Sequence, residues 1–407
     1  MFKKKFHTLI KRSLAGTLCL GLLASQPAVA YATEANVSAT PEAAHSATYS
    51  QAADTDSVKG WPSGPCIEGQ SAVLMDAVTD TILYSKNADD KLYPASITKI
   101  MTALLACENL KMNDTITMSQ EAAYGIEAGS STIYAETDEV FTVEQALMAL
   151  MLESANEMAL ALAEKTSGSV KKFVELMNQR AAQLGCKNTH FNNPNGLPDE
   201  THYTTASDMM KIAKAAWYNP LFRKFVTTQT YEIPPTNKQS ETRYLLNHHK
   251  MMAGQSYAYD GVLGGKTGYT NDAGNTLVTY AKRGNSILIA VVLNSTNGAF
   301  PDTTSLFDYG FDNFEKVDLN VDSDPVPTKF LPSEKYLLKN NGNTYPFYYM
   351  RHVYVTVPTG TDVSTLTRKQ WLLNNSIGPK RIKSKYYFND HMVGYGIQYE
   401  KEILSDL

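Results

Sequence analysis

Cysteine is scarce, with four residues in a chain of 407. Cys19 lies in an apolar N-terminal run, and Leu18 precedes it where a lipid-modified cysteine would want a small residue. Cys66, Cys107 and Cys186 remain, an odd and widely spaced set that describes no disulfide framework and has no metal-ligand spacing. Long apolar runs are lacking too. Leu14 to Ala24 is too short for a stop-transfer helix, so a membrane bundle is excluded. With 43% hydrophobic and 19% charged residues, wholesale disorder is excluded as well. Nor is there an excess of positive charge. A formal net charge of −4 argues against a nucleic-acid partner.

What is present begins with Lys3, Lys4, Lys5, Lys11 and Arg12, then the short apolar run, then Ala28-Val29-Ala30 as a small-x-small cleavage site. Residues 1–30 therefore read as a secretory signal peptide, which puts the mature chain outside the cytoplasm. Its removal takes away five positive and no negative charges, moving the net charge from −4 to −9. Residues 31–60 are rich in Ala, Ser and Thr and read as a flexible leader, too poor in large apolar groups to offset ordering entropy.

From Ser71 the pattern is strand-like, and Ser71–Asp76 and Thr81–Ser85 flank a turn as in a hairpin. A helix with a buried stripe (Ile97, Ile100, Met101, Leu104, Leu105) follows Pro94, and Cys107 on the same stripe reads as core. Thr142 and Gln145 form a capping box before another helix. Further helices are expected over Ser169–Leu184, stopped by Gly185, and over Ala206–Trp217. Strands return at Gly274–Tyr280 and Ser286–Leu293, and Ser305–Phe314 reads as a closing helix. The expected fold is α+β: one mixed sheet, edged by the two ends of the domain, with a helical insertion between them. That domain is placed at 61–316. Residues 317–407, with Pro325, Pro327, Pro332, many tyrosines and an alternating Val353–Val357, are expected to form a small β-rich C-terminal domain.

Three short motifs carry chemistry. Ser96 and Lys99 stand three apart at a helix start, where partial burial and the helix dipole disfavour an ammonium and free the amine to take a proton. Alone this spacing decides nothing, since Ser169 to Lys172 repeats it as an ordinary capped start. Ser154-Ala155-Asn156 interrupts apolar text, as a polar loop turned into a cleft would. Gly265-Lys266-Thr267-Gly268-Tyr269 precedes the late strands, combining close backbone approach with a cation and a hydroxyl, though a plain turn reads equally well. It lacks phosphate-loop spacing.

Together and in this order, the motifs are those of penicillin-binding proteins and class A β-lactamases. Pro94–Leu105, Phe191–Leu197, His202–Met209 and Lys266–Asn275 closely resemble the low-molecular-mass D-alanyl-D-alanine carboxypeptidases of the DacA-like, penicillin-binding protein 5 type, over about residues 61–315. The resemblance implies a β-lactamase/transpeptidase-like catalytic domain that binds β-lactams covalently and cleaves the terminal D-alanine from peptidoglycan stem peptides, with no metal or organic cofactor. It makes Ser96 the nucleophile, Lys99 its base and Ser154 a proton relay to the departing D-alanine. Asn156 would hold the substrate amide, Lys266 and Thr267 would receive its carboxylate, and the N–H groups of Ser96 and of Tyr269, beyond Gly268, would form the oxyanion hole.

Two departures from that family are visible. The segment Ile403–Leu407 lacks the basic amphipathic character of a C-terminal membrane anchor, so any peripheral membrane association would use another device. Asn294–Asn297 stand where several members carry a carboxylate-binding arginine. His202, His248 and His249 read as loop-holding or polar loop residues rather than bases. A β-lactamase and a catalytically silent wall-binding protein are the competing readings. Glu153 and Glu157 flank the Ser154 motif without matching a deacylating-glutamate loop.

Overall fold

The computed structural model describes residues 48–319, 347–349, 353–373 and 381–400. The expected signal peptide, the leader up to residue 47, the Pro325–Pro332 segment and the last seven residues lie outside them. The expected hairpin is β1 (Ser71–Asp76) and β2 (Thr81–Lys86). A 3-10 turn over Ala95–Thr98 runs into α1 (Lys99–Asn109). A ribbon of β3 (Thr115–Thr117) and β4 (Val140–Thr142) brackets the short α2 (Gln120–Tyr124). Next come α3 (Val143–Leu152), α4 (Asn156–Ser167), α5 (Val170–Gln183), α6 (Ala206–Tyr218) and α7 (Pro220–Val226). Local chemistry sets their starts. Thr142 and Gln145 make the expected capping box, and Ser169 caps α5 by accepting from the Lys172 N–H. The second serine–lysine pair is thus a helix cap.

A second ribbon, β5 (Thr230–Ile233) with β6 (Arg243–Leu246), leads to three long strands, β7 (Val262–Thr270), β8 (Gly274–Arg283) and β9 (Ser286–Ser295). The main sheet has the order β2-β1-β9-β8-β7 and is antiparallel throughout. One expectation is corrected here: the sheet is antiparallel and not mixed. Its edges, β2 and β7, come from the early hairpin and the late strands as expected, while the last strand, β9, pairs β1 and lies in the middle. The sequence around Lys266 is therefore a strand and not a turn.

Both faces of this sheet are covered. Val73, Met75, Val278, Tyr280, Ile289 and Val291 pack against the helical insertion, while Ala72, Leu74, Leu277, Leu288 and Val292 pack against α8 (Ala299–Asn313). A Cβ on Gly310 would sit 2.7 Å from Leu74 Cδ2, so α8 lies close on the strands. The α1 helix was expected to bury one stripe. Instead every residue from Lys99 to Cys107 is buried, because α1 runs through the centre of the insertion and touches α4, α6 and α3. Thr102, Ala103 and Ala106 are small enough to let neighbours close over its remaining faces. The leader expectation also needs correction over 48–60. Lys86 Nζ donates to the Thr48 and Ile67 carbonyls at 2.7 and 2.8 Å, Asp54 accepts from Ser85 Oγ, and Thr55 and Trp61 are buried. Partners supplied by β2, not the segment's own composition, order it.

The C-terminal β-rich domain is a sheet of order β10-β12-β15-β14-β13: β10 (Phe314–Asp318), β12 (Tyr354–Pro358), β13 (Thr367–Leu373), β14 (Arg381–Phe388) and β15 (His391–Glu400), with β11 (Phe347–Tyr349) also on β15. A buried polar contact joins it to the main sheet. Asp76 Oδ2 on β1 accepts from Thr356 Oγ1 at 2.9 Å and lies 3.6 Å from Lys316 Nζ. Burial raises the Asp76 pKa against the attraction of Lys316. Removing the cation alone strands a buried carboxylate, whereas removing both charges does not. Lys316→Met is expected to lower stability by about 3 kcal/mol, and adding Asp76→Asn to recover much of it, read from urea midpoints.

Candidate active site

Ser96 occupies the 3-10 turn ahead of α1, with Pro94 before it and the φ of Ala95 at +50°. That left-handed conformation is costly for alanine and turns the chain sharply just before the serine. Beside it, the backbone of Gly196 approaches so closely that a Cβ there would lie 1.9 Å from the Ala95 carbonyl oxygen. Two other closely packed segments complete the setting. Gly268 on β7 leaves room for the serine turn, since a Cβ would lie 2.8 Å from Ser96 N and 2.4 Å from Thr276 Oγ1. Ser154 sits between α3 and α4 with φ +60°.

Lys99 is wholly buried one turn into the structure. Its Nζ lies 2.9 Å from Ser96 Oγ, 2.7 Å from Asn156 Oδ1 and 2.7 Å from the Asn195 carbonyl oxygen. No carboxylate is among these partners. The Asn156 and Asn195 oxygens can only accept, so they take two amine N–H groups. Ser96 can donate. A neutral lysine therefore satisfies all three contacts by receiving the serine O–H on its lone pair. Burial drives the Lys99 pKa well below its ordinary 10.5, the nearby Lys266 lowers it further, and the Glu157 carboxylate opposes both. The arrangement is a hydroxyl paired with a base of its own.

Ser154 Oγ is buried and hydrogen-bonded to nothing, yet it lines the same cleft as Ser96, Thr267, Gly268 and Tyr269, a recess of about 320 Å³. Lys266 is buried behind the strand, where its Nζ donates to the Thr267 carbonyl at 2.9 Å and burial pushes its pKa down to about 7. Tyr269, on the same edge strand, lines the cleft and is largely exposed. The structure thus brings all eight expected residues around one cleft: Ser96, Lys99, Ser154, Asn156, Lys266, Thr267, Gly268 and Tyr269. Gly268 contributes space.

A D-alanyl-D-alanine carboxypeptidase family profile matches residues 59–297. The chain belongs to that family. It is 39% identical over 255 residues to the D-alanyl-D-alanine carboxypeptidase DacF of Bacillus subtilis, covering 61% of this chain and 63% of that protein. The chain therefore spans slightly under two thirds of that relative. With DacA of Escherichia coli it shares 31% identity over 316 residues, covering 74% of this chain and 73% of the relative. The crystal structure of the Streptomyces K15 DD-transpeptidase superposes with a TM-score of 0.58 at 33% identity, covering 61% of this chain and 99% of that one.

Several features of this family member escaped the sequence. The Asn195 carbonyl holds Lys99, but a backbone oxygen has no residue signature. Ser131 lines the cleft from a loop whose carbonyl accepts from the Asn156 N–H at 2.9 Å. His202 links Thr98 Oγ1 (2.9 Å) to the Asn192 N–H (3.1 Å) and is buried, with its pKa pushed down to about 4. It holds the loop. His249 lies in a loop as expected but is buried beneath Gly265 on Thr279 Oγ1 at 2.9 Å, and burial pushes its pKa down to about 3. His248 lines the cleft mouth, 3.0 Å from Glu153. In the segment lacking the arginine, Asn297 and Thr296 bind Glu68.

The spacing at Gly268 makes a direct prediction. In Gly268→Ala the strand must retreat from Ser96, so benzylpenicillin acylation is expected to slow by about 100-fold, with a stability loss of about 1–3 kcal/mol. Stopped-flow acylation and thermal melting read the two effects separately.

Proposed function

We propose that the chain is a serine D-alanyl-D-alanine carboxypeptidase acting on peptidoglycan stem peptides outside the cytoplasm. The observation that supports this best is the buried Lys99 amine 2.9 Å from Ser96 Oγ, without a carboxylate partner. Neutral Lys99 takes the hydroxyl proton as Ser96 Oγ attacks the carbonyl carbon between the two terminal D-alanines. The oxyanion is received by the N–H groups of Ser96 and Tyr269. The C–N bond then breaks, the departing amine takes a proton through Ser154, and an ester remains on Ser96. Water hydrolyses that ester. Asn156 orients the substrate amide and Lys99, while Thr267 and the Lys266 charge behind it receive the terminal carboxylate.

The same acylation gives a covalent adduct with β-lactams. Its persistence separates this reading from a β-lactamase. None of the described residues lining the cleft is a carboxylate. Glu153 is occupied by His248 and the Leu246 N–H, and Glu157 Oε1 by Thr132 and the Ile133 N–H. Among the described residues no carboxylate reaches the cleft beside Ser96, where it could activate water quickly. Secretion through residues 1–30 belongs to the proposal, as does a β-rich domain that positions the catalytic one. Among the described residues no helix is long and apolar enough to cross a membrane.

The test is release of free D-alanine from an N-acylated peptide ending in D-Ala-D-Ala. The parent is expected to release it, and Ser96→Ala to release none. Lys99→Arg, whose guanidinium cannot act as a base, is expected to fall by about 10²–10⁴-fold. A folded parent that releases no D-alanine contradicts the proposal.

A further inference from the structure

A second recess of about 420 Å³ lies beside the catalytic cleft, and nothing in the proposed chemistry uses it. Its rim carries Tyr124 and Tyr134, which are 64% and 81% exposed. Tyr134 stands on a tightly held segment of backbone. Its backbone is held at φ +60° with both polar groups engaged. Its N–H donates to Thr132 Oγ1 at 2.8 Å, and Thr132 donates to buried Glu157 at 2.6 Å. Its carbonyl accepts from Arg243, which is clamped by Glu139 at 2.7 and 3.1 Å. Tyr244, next to Arg243 on β6, is 75% exposed. The Tyr134 backbone is thus held in place, which lowers the ordering cost of binding.

The remaining lining defines the chemistry. Glu127, Glu136, Ser130 and Thr132 supply carboxylate and hydroxyl acceptors, and no Lys, Arg or His is among the described lining residues. A phosphate or other polyanion finds no cation there. A sugar ring suits it, offering an apolar face to a tyrosine and hydroxyl and amide donors to the carboxylates. Position argues the same way. Ser131 lines the catalytic cleft while its neighbours Ser130 and Thr132 line this recess, so one short segment forms the wall between them. That wall is fastened to the Ser154 motif through the Asn156 N–H and Glu157.

We infer that this tyrosine-rimmed recess is a glycan subsite, which binds the amino-sugar strand carrying the stem peptide while the cleft holds the peptide's end. The inference rests on the proposed peptidase reading, but its test does not need turnover. The full chain is titrated with glycan strands stripped of peptide by an amidase and followed by calorimetry, and in parallel the parent is exposed to benzylpenicillin. Saturable binding by the parent, weakened about threefold to tenfold in Tyr134→Ser at unchanged thermal midpoint, is the expected result. Tyr134→Phe, which keeps the ring, is expected to retain most of the binding. No binding by a parent that still acylates, or equal binding by Tyr134→Ser, overturns the subsite and leaves the peptidase reading intact. Binding by a parent that penicillin does not label supports the subsite and counts against the peptidase.

Discussion

The structure depends on keeping a lysine amine dry. Lys99 is enclosed on every side, and an ammonium there would face burial without a carboxylate in contact. The fold supplies two carbonyl acceptors and a serine hydroxyl, a set that an uncharged amine satisfies in full when the hydroxyl turns its proton to the lone pair. Each neighbouring segment serves that enclosure. Gly196 lets the Asn195 carbonyl reach the amine, Ala95 takes a strained turn to present Ser96, and Gly268 lets the edge strand close the other side. Because the folded amine binds its proton more weakly than the unfolded one, the unfolded chain carries more protons. Stability accordingly rises with pH between the depressed pKa and 10.5, and at lower pH the site costs stability that the surrounding core offsets.

The sheet order explains how such distant residues meet. Pairing of β9 with β1 closes the domain and places β7 at the edge, where it faces the start of α1. The centre of the cleft is therefore assembled from a helix start, a helix–helix connection and an edge strand. Loops contribute mainly backbone. This division places most of the side-chain chemistry at helix starts and on an edge strand, with the loop around Ser131 forming the outer wall.

That Ser96, Lys99, Ser154, Asn156, Lys266 and Thr267 gather in one place was legible through the family resemblance, because three short motifs in a fixed order carry them, while each motif alone decided nothing. The hairpin β1–β2, the capping box at Thr142 and the strand pair β8–β9 were legible from period and turn chemistry. The rest was hidden for definable reasons. The Asn195 carbonyl leaves no trace in residue type. The complete burial of α1 comes from neighbours far along the chain, which its own period cannot reveal. The central position of β9 depends on long-range pairing. The order of residues 48–60 comes from hydrogen bonds to Lys86 and Ser85, so composition alone misassigned it. His249 looked like its neighbour His248, and only tertiary position separates a buried strut from a cleft residue.

The most direct measurement is the rate of Ser96 acylation by benzylpenicillin as a function of pH, followed by intact-mass spectrometry. If Lys99 is held neutral by burial, a stable adduct forms on the parent and not on Ser96→Ala. The rate is then lost only as pH falls through a lysine pKa lying well below 10.5. The account predicts a plateau that extends from alkaline pH down to well below pH 10.5. A rate that keeps rising about tenfold per pH unit up to pH 10 would contradict it, because Lys99 would then be charged in the resting protein.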